Sequence, residues 1–72
     1  MNRSAVYQIL VGGTLDEDWS DWFGMVVEPV SQPDGHAATR LCGNVPDQPA
    51  LFGILLKIRD LNLELIRVEK IG

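Results

Sequence analysis

Apolar residues fall along this chain in short blocks, and each block predicts an element. Residues 5–11 read AVYQILV. They are rich in β-branched and aromatic types and stop at Gly12-Gly13, which predicts a strand. Residues 25–30, MVVEPV, predict a second strand. Pro29 has no amide hydrogen to give to a ladder, so this strand belongs at a sheet edge. Residues 31–36, SQPDGH, have turn composition. Residues 37–42 predict a third strand, closed by Gly43-Asn44, and residues 64–70, ELIRVEK, a fourth.

Between the strands the period changes. Leu15, Trp19, Trp22 and Phe23 recur at i, i+4, i+7 and i+8, one face of a helix. Thr14 or Asp16 can cap it, the acids at its start suit the helix dipole, and Gly24 ends it. Two readings meet here: an acidic, aromatic-lined binding site, or a short helix with its tryptophans and Phe23 laid on a sheet. The helical spacing favours the second, with Trp19, Trp22 and Phe23 mostly buried and Glu17, Asp18 and Asp21 pointing away. A longer helix follows Val45. Asp47 is a natural N-cap and Pro49 sits in the first turn, where a missing N–H costs little. Ala50, Leu51, Ile54, Leu55 and Ile58 make its apolar stripe, which Leu61 can extend. Asn62 suits a left-handed C-cap, with Leu63 as the apolar residue behind it.

The order is therefore β-α-β-β-α-β in one domain spanning residues 1–72. That order predicts an α+β fold, the ferredoxin-like sandwich. It has a four-stranded antiparallel sheet in spatial order 4-1-3-2, with two helices on one face. Strand alternation sorts the side chains. Tyr7, Ile9, Val11, Val27, Leu41, Ile66 and Val68 are expected to face the helices. The other face is expected to carry Val6, Leu10, Val26, Glu28 and Val30 from the first two strands. Arg40, Leu65 and Arg67 join them from the last two, beside Gln8, Ala38, Cys42 and Glu69. No helix covers that face, and it is more apolar than a solvated face needs to be. These residues are the candidate interface. The other readings of the face are a bare surface and a ligand platform. Across the hairpin, Glu28 is expected opposite Arg40, Val26 opposite Cys42 and Val30 opposite Ala38.

Size sharpens the question. A chain of 72 residues buries only about 60–65% of its unfolded surface, so small domains usually add a staple. Cys42 is the only cysteine and His36 the only histidine, which leaves no disulfide within the chain and no cysteine zinc site. Tight packing or self-association remains, most simply a two-fold dimer. The apolar fraction of 46% is that of a folded chain. A net charge of −4 with scattered basic residues speaks against nucleic acid. Ile9-Leu10-Val11 is too short for a signal core or a membrane span, and the unpaired cysteine suits a cytoplasmic address.

Little in the chain suggests catalysis, a cofactor or a metal. His36 sits in a turn, where histidines are usually solvated. Cys42 sits on a strand with nothing in sequence to activate it. The acids at 16–21 lack the alternation of a calcium loop. Gly12-Gly13-Thr14 lacks both nucleotide-binding fingerprints, and the carboxylates beside it oppose an anion. Gln48, Arg59 and Asp60 are expected to make contacts outside the core. Arg59 and Asp60, being adjacent on a helix, are expected to reach other elements rather than each other.

Residues 45–63, VPDQPALFGILLKIRDLNL, resemble a run shared by short, uncharacterised bacterial proteins, V-x-D-Q-A-A-L-H-G-L-L-x-K-I-R-D-L-G-L. Those proteins tend to carry L-D-x-x-W-x-x-W-F near the start, matched here by Leu15, Asp16, Trp19, Trp22 and Phe23. Pro49 stands where Ala is common, Phe52 where His is common and Asn62 where Gly is common. Any role of that histidine does not carry over, whereas Asn62 keeps the left-handed cap. The resemblance implies no activity. The resulting expectation is a small self-associating interaction or regulatory module. The alternative is a small-ligand binder using the outer sheet face or a subunit groove, with an enzyme third.

Overall fold

The computed structural model describes residues 4–72. Four strands, β1 (Ala5–Gly12), β2 (Val26–Ser31), β3 (Ala37–Val45) and β4 (Leu65–Lys70), form one sheet in the order β2-β3-β1-β4. All three pairings are antiparallel. Helix α1 (Ser20–Phe23) follows a 3-10 turn over Glu17–Trp19, and α2 (Gln48–Asp60) joins β3 to β4. This is the expected α+β architecture and strand order. β2, with Pro29, is an edge strand.

The core lies between the sheet and the helices. Ile9, Val11, Val27 and Leu41 from the sheet meet Leu51, Ile54 and Ile58 of α2, with Leu15 and Phe23 from the first helical segment. The end of α2 is a Schellman motif. Asn62 takes φ 59, its N–H donates to the Arg59 carbonyl at 2.9 Å, and Leu63 N–H donates to Ile58 at 3.2 Å. At the other end the Asp47 carboxylate accepts from the Ala50 amide at 2.9 Å.

The first helix differs from the expectation. Its opening turn, Glu17–Trp19, is 3-10, and only four residues, Ser20–Phe23, are α-helical. Phe23 is buried and Trp19 is half-buried, but Trp22 is 42% exposed. Trp22 instead lies edge-on against Trp19 and Phe23, at centroid distances of 5.4 and 5.0 Å. The acids flank this turn, and Asp16 accepts from the Asp18 amide at 3.0 Å.

Two strand expectations are corrected. β3 does not close at Gly43-Asn44 but runs through both to Val45. Gly43 packs against Met25, where a β-carbon would lie 3.4 Å from the Met25 α-carbon, a close contact. In β4 the pairing slips between Leu10 and Val11: Leu10 pairs with Arg67, and Val11 pairs with Leu65. This bulge moves Leu65 to the side of Val11, the helix side. Ile66, expected toward the helices, instead lines the open face beside Leu10.

Candidate functional site

The sheet face away from the helices is ordered in cross-strand rows. One row reads Glu28, Arg40, Leu10, Arg67 across β2, β3, β1 and β4. The next reads Val26, Cys42, Gln8, Glu69. Glu28 stands opposite Arg40, Val26 opposite Cys42 and Val30 opposite Ala38, the register expected from the turn. The turn explains it: Gly35 N–H donates to the Gln32 carbonyl at 2.9 Å, with Gly35 at φ 87, and the Asp34 carboxylate accepts from the His36 amide at 3.0 Å.

Charges on this face are used unevenly. Arg40 reaches Glu28 at 3.4 Å, both side chains remaining partly exposed. A pair in that setting contributes at most about 1 kcal/mol. Arg67 and Glu69 have no ionic partner among the described residues. The same face carries exposed or half-exposed aliphatics, Val6, Leu10, Val26, Val30 and Ile66. The face is not flat. The end of the hairpin, at Val30–Pro33, and β4, at Ile66 and Arg67, border a hollow of about 310 Å³ with Gln8 and Leu10 in its lining.

The remaining polar candidates have structural occupations. His36 pairs its own turn, Nδ1 lying 3.1 Å from Asp34. Gln48 donates to the Tyr7 hydroxyl at 3.2 Å, tying the start of α2 to β1. Arg59 and Asp60 do pair with each other, at 3.1 Å, contrary to expectation. Adjacent helical positions diverge, but the arginine is long enough to fold back along the surface. Among the described residues no three His, Cys, Asp or Glu side chains converge as metal ligands do.

Sequence reasoning missed Thr39. It is fully buried, its hydroxyl accepts from the Leu15 amide at 3.0 Å and donates to the Gly13 carbonyl at 2.9 Å. It thereby pins the loop after β1 to the middle of the sheet. The alternation that puts Leu41 inward also puts Thr39 inward, a signal that was available.

One family's sequence model, a domain of unknown function (DUF8691), matches residues 6–69. The chain belongs to this family. No curated protein and no solved structure matches it. The DUF8691 match takes in every strand and both helices except for terminal residues, so the family domain and this fold are one unit. Among the described residues no helix is long and apolar enough to cross a membrane.

Proposed function

We propose that this DUF8691 chain is a small interaction module that associates with a second copy of itself through the open face of its sheet. The observation that carries this reading is the layout of that face. Val6, Leu10, Val26 and Val30 lie on the side opposite both helices, and Arg67 and Glu69 stand there without ionic partners among the described residues. In a two-fold contact the same patch meets itself, so one arginine can answer an acid of the other copy. Two sheets stacked face to face sit about 10 Å apart, room for aliphatic side chains to interdigitate. The lone Cys42, with no disulfide partner in the chain, supports a cytoplasmic address. The two stretches that resemble those of short bacterial proteins meet in the fold at Lys57 and Trp22.

Light scattering on a size-exclusion column at low micromolar protein tests the reading. The expected mass exceeds the 8.0 kDa of one chain, and Leu10→Lys, which buries a charge in the contact, lowers it while circular dichroism stays native. An 8 kDa wild-type species, or a mass unmoved by Leu10→Lys, rejects the interface.

The hollow favours a second reading, a small-molecule site. Its volume of about 310 Å³ is at the low end of the range for ligand pockets. Arg40, Arg67, Leu10 and Ile66 suit an anion with an apolar body. A thermal-shift screen of small carboxylates addresses it, since a ligand at a hundredfold over its Kd adds about 2.7 kcal/mol.

A further inference from the structure

The two edges of the sheet are built differently. β2 forms one edge and carries Pro29, which cannot donate to a neighbouring strand. β4 forms the other, contains no proline, and is exposed along its whole length.

The backbone of β4 presents its free groups in a defined way. The Ile71 N–H donates to the Val6 carbonyl at 2.7 Å, and the Gly12 N–H donates to the Glu64 carbonyl at 2.8 Å. Strand alternation therefore turns Gln8 and Leu10 of β1 toward β4, where their partners are Glu69 and Arg67. Val68 and Lys70, the alternate residues, direct their N–H and C=O groups outward, to the free edge.

The side chains of β4 are self-complementary about Val68. When two copies of this strand lie antiparallel with Val68 opposite Val68, Arg67 of each stands opposite Glu69 of the other. Both charges lack an ionic partner in their own chain among the described residues. Edge charges ordinarily keep strands apart. Here their spacing makes them attract across the axis.

Apolar side chains also stay exposed on the helix side of the molecule. Lys57 marks the flank of α2 that touches α1. Phe52 stands about 140° round the helix from Lys57 and is 58% exposed. Val68 on the helix side of β4 is 37% exposed.

We propose that β4 is a pairing edge for a second copy of this chain. The two strands add antiparallel about a two-fold axis at Val68, joining two sheets into one. This contact uses the strand edge and does not depend on the open face.

Two measurements test it. Arg67→Glu and Glu69→Arg each place like charges opposite each other across the axis. Each variant alone is expected to lose this contact, and an equimolar mixture to regain it as a mixed pair, read as mass by light scattering. Arg67 and Glu69 also belong to the open face, so a crosslink separates the two interfaces. With Val68→Cys on a Cys42→Ser background, mild oxidation is expected to give a covalent dimer of native circular dichroism. Paired α-carbons there lie about 5.5 Å apart, within disulfide reach. Val68 lies on the helix side, so stacking through the open face keeps these thiols apart. Failure to crosslink overturns the edge pairing, including where Leu10→Lys still lowers the mass and the open-face reading stands. Crosslinking without recovery by the charge mixture overturns the pairing of Arg67 with Glu69 across the axis.

Discussion

The Lys57 ammonium donates to the Trp22 carbonyl at 2.7 Å and lies 5.1 Å from the centroid of the Trp22 ring. This contact joins the one-turn helix α1 to the long helix α2 across 35 residues of sequence. It also answers a local need. The last carbonyls of a helix have no intrahelical partner, and a four-residue helix has few other means of holding its end.

Lys57→Met removes the charge and keeps much of the stem. It is expected to cost about 0.5–2 kcal/mol, an exposed cation–π contact together with what solvent screening leaves of an exposed charge-assisted hydrogen bond. Urea unfolding followed by tryptophan fluorescence measures it. In the wild type, acrylamide should quench Trp22 more readily than Trp19, and the substitution should widen that gap. An unchanged unfolding midpoint with unchanged quenching would show that Trp22 does not depend on the lysine.

Thr39 is the buried polar residue on which the loop after β1 depends. Thr39→Val keeps the shape but leaves the Leu15 amide and the Gly13 carbonyl without their partner. The expected loss is about 1–3 kcal/mol. Thr39→Ser keeps the hydroxyl and should cost less than Thr39→Val. Denaturant midpoints compare the two, and a loss for Thr39→Ser as large as that for Thr39→Val would show that the hydroxyl is not the dominant contribution.

Asn62 carries the left-handed turn that ends α2, at φ 59. Asn62→Gly is expected to be neutral or slightly stabilising, because glycine adopts this conformation without strain. Asn62→Val should destabilise by about 1–2 kcal/mol, the cost of a β-branched residue in that region. Thermal unfolding of the three proteins should rank them in that order. A valine variant as stable as the wild type would mean that the cap relaxes into another conformation.

Local pattern alone determined much of this protein. The period of two in β1 and β2 and the stripe in α2 were legible because each is set by neighbours in sequence. So were the caps at Asp47 and Asn62, which act through the nearest backbone groups. The turn at Pro33-Asp34-Gly35 carried the β2–β3 register, because a short hairpin leaves little freedom to slip, and Glu28 stands opposite Arg40 as a result. Strand order followed from element order.

What the pattern left open depends on groups far apart in sequence. The tryptophan stretch has helical spacing, yet its first turn is 3-10 and Trp22 lies under Lys57 rather than on the sheet. The bulge in β4 exchanges the faces expected for Leu65 and Ile66, because pairing with β1 sets a strand's register and β4 has no short turn to hold it. Gly43 reads locally as a stop but is strand, and a β-carbon there would lie 3.4 Å from Met25. The hollow on the open face and the outward backbone of β4 arise only once four strands lie side by side. A sequence specifies which residues a strand contains, but the assembled sheet decides which of its faces and edges stay without a partner.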